Sequence, residues 1–238
     1  MVTWNVWGLR AGTAAVAAEL RRARPDVACL QECPRGPLAG WRTRRLARAA
    51  GLRLVRRAAG VALLVAPGVV TGDAESHREP RRRSRWWWAY PRAWVSARVA
   101  TSAPGEPGPL TTRVVVVHLD VDAAARERNV ARILGRHDGE QRWLVAGDLN
   151  ARPGDPARAA LAGVLDDVGI APTYPAGPGR TPRARIDGVL VRGLTVRAVE
   201  VVADVGDLRG RRGRQLSDHL PVVVTLGPQG DDPAGEPR

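Results

Sequence analysis

Short runs rich in Val, Leu and Ile alternate along the chain with Arg- and Ala-rich stretches of helical character. Val2–Val6 and Val27–Gln31 read as strands flanking a helix over Thr13–Ala23. Leu52–Arg56 and Val61–Val65 read as a strand pair hinged at Gly60. Strands are also expected at Ala93–Val99 and Arg113–Val117, separated by the Pro- and Gly-rich linker Ala103–Pro109. Asp122 is placed to cap a helix running to Leu134, and the apolar strand Trp143–Ala146 follows. Asp155, Pro156 and Gly163 read as the N-cap, first-turn proline and C-cap of another helix. Ile186–Val191, Val196–Val202 and Val222–Leu226 complete the expected strands. Such alternation argues for a layered α/β fold in one domain over residues 1–227, with a polar, disordered tail over 228–238.

Composition narrows the classes. Of the 238 residues, no uninterrupted apolar stretch is long enough to span a bilayer, and Val2–Val6 reads as a strand, not as part of a leader. A soluble, cytoplasmic monomer is the expectation. Cys29 and Cys33 cannot by themselves build a disulfide framework or a zinc ribbon; Cys29 reads as a buried thiol and Cys33 as an incidental one. The formal net charge is +13, carried by arginine with no lysine at all. An excess of that size favours a polyanionic substrate or surface, either nucleic acid or anionic phospholipid.

The candidate chemistry lies where apolar strands end. Asn5, Glu32, His118 and Asp148 each stand at the C-terminal end of an expected strand, the location at which open α/β sheets place their ligands. In Gly147-Asp148-Leu149-Asn150, an extended backbone would point Asp148 and Asn150 to one side. An Asx-turn leaving the strand is the alternative. Gly147 leaves room for a neighbouring backbone. Asp218 and His219, in Ser217-Asp218-His219-Leu220-Pro221, can serve one site only from a loop, and Pro221 disfavours a helix there. Asp187, in Arg185-Ile186-Asp187, is placed to accept a hydrogen bond from an imidazole.

Taken in order, Thr3-Trp4-Asn5-Val6, Leu30-Gln31-Glu32, Gly60-Val61-Ala62-Leu63-Leu64, Val117-His118-Leu119, Gly147-Asp148-Leu149-Asn150, Arg185-Ile186-Asp187 and Ser217-Asp218-His219-Leu220-Pro221 resemble the endonuclease/exonuclease/phosphatase superfamily, which has the deoxyribonuclease I fold. The resemblance implies a four-layer sandwich, two packed mixed β-sheets flanked by helices, and a divalent-metal-dependent phosphoesterase. It implies Glu32 as the main metal ligand with Asn5 and Asp218 close to the ion. It further implies that Asp148 orients or deprotonates the attacking water and that Asn150 holds a phosphate oxygen. His118, and His219 paired with Asp187, would contact the phosphate. Oxygen ligands of this kind suit Mg²⁺ or Mn²⁺, and such an ion makes a covalent nucleophile unnecessary. The pattern departs from the abasic-site repair branch. Pro34 stands two residues after Glu32 where that branch carries lysine, and His118 stands near where it uses tyrosine. Gly188 follows Asp187 where an aromatic is usual, which bears on local packing.

A nuclease-type phosphodiesterase is therefore the expected activity, with nucleic acid as substrate. Hydrolysis of phospholipid or small phosphate esters is the alternative, and a non-catalytic basic nucleic-acid-binding module the third reading. The stretch Arg81–Tyr90 combines arginines with three consecutive tryptophans. It suits nucleic-acid contact, a membrane interface, or a strand whose Trp side chains fill the core. The Gly-rich run Arg209–Arg214 suits either a steering loop or plain solvated arginines. His77 and His137 are isolated and carry no assigned role.

Overall fold

A computed structural model describes residues 1–79, 92–102, 108–137, 139–206 and 208–229. The strands begin with β1 (Val2–Asn5), β2 (Val27–Gln31), β3 (Arg53–Ala58) and β4 (Val61–Val65). They continue with β5 (Val70–Arg78), β6 (Ala93–Thr101), β7 (Leu110–His118) and β8 (Trp143–Asp148). The last four are β9 (Asp166–Asp167), β10 (Asp187–Arg192), β11 (Leu194–Val201) and β12 (Val222–Pro228). The helices are α1 (Thr13–Ala23), α2 (Ala39–Ala49), α3 (Ala123–His137) and α4 (Pro156–Ala162). Among the described residues these strands form two six-stranded mixed sheets, ordered β11-β12-β1-β2-β4-β3 and β5-β6-β7-β8-β10-β9.

Three apolar clusters stack into four layers. Val95, Val116, Leu144 and Val189 of the second sheet meet Cys29, Leu63 and Val224 of the first in the central core. Val16 and Leu20 of α1 and Leu46 of α2 cover the outer face of the first sheet against Val2, Trp4 and Leu30. Val130 and Ile133 of α3 and Leu161 of α4 cover the second sheet against Val115, Val145 and Leu190. Each such Val, Leu or Ile contributes roughly 1.5–3 kcal/mol by leaving water.

Each sheet has one parallel pair, joined by a crossover helix: β1 with β2 through α1, and β7 with β8 through α3. Antiparallel neighbours flank them, β12 beside β1 and β10 beside β8. That arrangement brings the C-terminal ends of four strands and the N-terminal ends of β10 and β12 to one end of the sandwich.

The caps expected from sequence are present. Asp155 accepts from the Ala157 amide at 3.1 Å with Pro156 in the first turn, and Asp122 accepts from the Ala125 amide at 2.8 Å. Gly147 is required by packing: a Cβ there would lie 2.0 Å from the Val117 carbonyl oxygen, at a φ of +152°. Several expectations need correction. α2, β5 and β9 were not expected; β3 begins and ends later than Leu52–Arg56, and α3 extends beyond Leu134. Cys33 is not incidental but as fully buried as Cys29, and burial pushes both thiols up to about 12. Gly188 leaves space that Leu149 fills, since a Cβ would come 2.5 Å from Leu149 Cδ1. Arg81–Tyr90, most of the Ala103–Pro109 linker and residues 230–238 lie outside the described residues, and none of the described helices is long and apolar enough to cross a membrane.

Candidate active site

The topology sets the positions of the polar residues singled out in the sequence. Asn5 ends β1, and Glu32 directly follows β2. His118 and Asp148 end β7 and β8 and are register partners in the parallel pair. Asp187 opens β10 opposite Asp148, and Asp218-His219 lie in the loop entering β12. The loop conformation lets the adjacent Asp218 and His219 face one site.

Asn5 joins the two sheets. Its Nδ2 donates to Glu32 Oε1 at 3.2 Å and to Asp148 Oδ2 at 3.2 Å. Asp148 Oδ2 also lies 3.3 Å from His118 Nε2 and 3.9 Å from His219 Nε2. His219 Nδ1 is hydrogen-bonded to Asp187 Oδ2 at 2.8 Å, so Asp187, His219 and Asp148 form a buried relay across the cleft. Glu32, Asp218 and Asn150 sit at its half-exposed mouth. The backbone at that mouth is tightly held: Trp7, Glu32 and Asn150 have φ of 45°, 50° and 47°. Non-glycine residues there cost on the order of 1–3 kcal/mol each and persist where surrounding contacts enforce them.

Asn150 departs from the extended arrangement. Its amide closes an Asx-turn on Asp148 Oδ1 at 3.0 Å, and its Nδ2 donates to the Leu119 carbonyl at 3.0 Å. The side chain borders the site without touching the relay.

Electrostatics separate the carboxylates. Burial alone would raise Asp148, but His118, His219 and the Asn150 amide outweigh it and hold the carboxyl well below its usual range. Burial pulls the His219 imidazole down, yet Asp187, Asp148 and Asp218 together lift it to about 10. Asp218 is raised, first by burial and further by Glu32 and Asp148.

Two groupings offer donors to a cation. Ligand atoms of Asp148, Asp187 and His219 lie within 4.8 Å of one another. In that set, however, the 2.8 Å hydrogen bond to Asp187 already occupies His219 Nδ1. The second set is Glu32, Asn5 and Asp218. Its fit to a hard divalent cation rests on two observations: Asp218 Oδ1 is buried with no hydrogen-bond partner among the described residues, and the like charges of Glu32 and Asp148 act on it. A cation would satisfy that oxygen and relieve the repulsion.

Four further residues build the site without having been expected from sequence. Arg92, directly before β6, places its guanidinium against His118 Nε2, within electrostatic reach of Asp148, Asp120 and Glu32. Thr173 Oγ1 donates to Asp187 Oδ2 at 2.5 Å, and Tyr174 packs its ring 4.9 Å from that of His219. Ser217 Oγ donates to the Asn5 carbonyl at 2.5 Å and accepts from the His219 amide at 3.0 Å. Only Ser217 lay within a recognisable motif.

A four-layer α/β sandwich with buried carboxylate–imidazole relay and oxygen-donor cluster at the paired strand ends is the framework of a phosphate-ester hydrolase. The endonuclease/exonuclease/phosphatase family model matches residues 2–219, and the chain belongs to that family of divalent-metal-dependent phosphoesterases. No curated protein matches the sequence. Among solved structures, an endonuclease/exonuclease/phosphatase family protein of Bacteroides thetaiotaomicron has a TM-score of 0.73 at 18% identity, covering 94% of this chain and 96% of that one. A mannosyl-6-phosphatase of Bacteroides thetaiotaomicron VPI-5482 gives 0.72 at 18% identity, covering 95% and 98%. TDP2 of D. rerio, in complex with a single-strand DNA product, gives 0.68 at 19% identity, covering 95% and 97%. At these identities the likeness is one of fold.

Proposed function

We propose that this protein hydrolyses phosphodiesters of nucleic acid, with Mg²⁺ or Mn²⁺ held by Glu32, Asn5 and Asp218. The observation that carries this reading is the double hydrogen bond of Asn5, which fixes Glu32 and the Asp148–His219–Asp187 relay in one cluster. A bound divalent ion polarises a phosphoryl oxygen and offsets the charge that develops on it. The protein's own groups do the rest. Asp148, kept ionised, accepts a hydrogen bond from the attacking water and orients it toward phosphorus. His219, with Nδ1 engaged by Asp187, presents Nε2 to a phosphate oxygen. Arg92, held against His118 Nε2, adds a charge-assisted donor, and Asn150 borders the phosphate from its turn.

Support for nucleic acid comes from the formal charge of +13 and from the fold shared with a DNA-bound TDP2. Purified protein with Mg²⁺ or Mn²⁺ is to be tested on single-stranded DNA, RNA, bis-p-nitrophenyl phosphate, phosphoinositides and sugar phosphates. The expected result is cleavage of nucleic acid that excess chelator abolishes. Turnover confined to lipid or small monoesters would reject the nucleic-acid substrate.

A further inference from the structure

Several stretches of the chain carry arginine without acid, and two of them adjoin the first sheet. Residues 33–72 contain eight arginines and no Asp or Glu, and residues 208–217 contain four and none. The order of the first sheet separates them. Asn5 and Glu32 close the neighbouring strands β1 and β2; α2, β3 and β4 lie beyond β2, while residues 208–217 lead from β11 into β12 beyond β1. Acid-free, arginine-bearing segments thus lie on both sides of the carboxylate cluster.

The second stretch is fixed beside the site. Arg209 and Gln215 form a β-bridge, making a short hairpin. The Arg211 amide donates to the Ala11 carbonyl at 2.6 Å, and Gly210 packs so closely that a Cβ would lie 2.3 Å from that oxygen. The hairpin therefore sits on the turn that follows Asn5. On the opposite flank, an Arg57 guanidinium N–H donates to the carbonyl of Pro34, two residues beyond Glu32, at 3.4 Å.

Each flank also pairs an indole with a guanidinium. Arg10 lies 4.3 Å from the Trp7 ring centre, and Arg45 lies 5.5 Å from that of Trp41, a side chain 56% exposed. Arg42, Arg44, Arg45, Arg211, Arg212 and Arg214 make no ion pair among the described residues. On the second sheet, by contrast, Arg98 and Arg113 pair with Glu140, and Arg136 with Glu75. These six arginines thus lack a carboxylate partner among the described residues, whereas several on the second sheet have one.

We propose that a single strand of nucleic acid crosses the site and continues past it on both flanks, so that hydrolysis falls on an internal phosphodiester. This rests on the phosphodiesterase reading above. Guanidinium groups on both flanks bind phosphates, and Trp7 and Trp41 stack on unpaired bases. Water's oxygen bonds to phosphorus, one ester P–O bond breaks, and the water proton leaves with the departing oxygen or to solvent. A site for chain ends would need only one such flank.

The test has two arms. Closed circular single-stranded DNA is incubated with the protein and Mg²⁺. Separately, binding of a fluorescein-labelled oligothymidylate is followed by anisotropy in chelator, across a salt series, for three proteins. These are wild type, Arg42→Gln/Arg44→Gln/Arg45→Gln and Arg211→Gln/Arg212→Gln/Arg214→Gln, with melting curves to check folding. The circle is expected to be cut. Each variant is expected to bind roughly tenfold more weakly and to lower the salt slope by about two, as for three lost single-strand phosphate contacts. An intact circle beside trimmed linear ends would overturn the proposal, as would an effect from one flank alone. Binding of wild type to phosphatidylserine vesicles but not to the oligonucleotide would overturn it in favour of a lipid surface. Wild-type hydrolysis of bis-p-nitrophenyl phosphate tests the site itself, so its failure is distinguishable from failure of the two-flank track.

Discussion

His219 owes its orientation to its neighbours. Asp187 holds Nδ1, Thr173 holds Asp187, Tyr174 packs against the ring, and Trp4 Nε1 donates to the His219 carbonyl at 3.0 Å. Removing the charge at the far end while keeping the shape should therefore cost more than removing the supporting hydroxyl. Asp187→Asn is expected to lower kcat on the order of 10²-fold, by analogy with loss of one preorganised electrostatic partner. Thr173→Val should lower it roughly fivefold, the value of about one net hydrogen bond. Steady-state kinetics on a diester checks both, and equal losses, or none, would contradict the chain of support. Asp187 and His219 were legible because each lies in a short motif at a strand end. Thr173 and Arg92 were not: each reaches the site only through long-range folding, and an isolated Thr or Arg has no local signature in this arginine-rich chain.

Legibility follows the same logic among the elements. Strands buried on both faces, such as β4 and β8, were found from their apolar runs, and the largely exposed β11 from its repeated valines. β5 escaped because it is an edge strand with mostly exposed or half-buried residues and no alternation to detect. α2 escaped because five of its eleven residues are Arg or Gly, leaving few apolar positions to mark its buried stripe. His137 shows what isolation along the chain conceals. It ends α3 with its ring 5.4 Å from that of Trp94 and 6.0 Å from that of Trp143, and Nε2 is buried without a partner among the described residues. Desolvation holds its imidazole down at about 4. The ordinary unfolded value is about 6.5, so the unfolded chain takes up the proton first as pH falls. The stability is present above pH 6.5 and is lost as pH falls toward 4, by on the order of 2 kcal/mol. Urea unfolding at neutral and acidic pH should show His137→Leu losing less stability than wild type over that window. Parallel losses would refute the buried neutral imidazole.

In the whole molecule, catalytic chemistry and charge occupy one end and its two flanks. Asn5, Glu32, His118 and Asp148 come together because both parallel pairs point their C-terminal ends the same way, and the face-to-face packing of the sheets brings those ends into one cleft. The net charge read from composition gains meaning from this geometry, since acid-free segments border the cleft while arginines such as Arg98, Arg113 and Arg136 pair with carboxylates. The most direct test of the central claim is hydrolysis of a diester by wild type and Glu32→Gln, measured across a Mg²⁺ titration, with circular dichroism on both. The account predicts metal-dependent turnover in wild type, a loss on the order of 10²–10³-fold in the variant, and unchanged secondary structure. Near-wild-type turnover by a folded Glu32→Gln protein at limiting Mg²⁺ would contradict it.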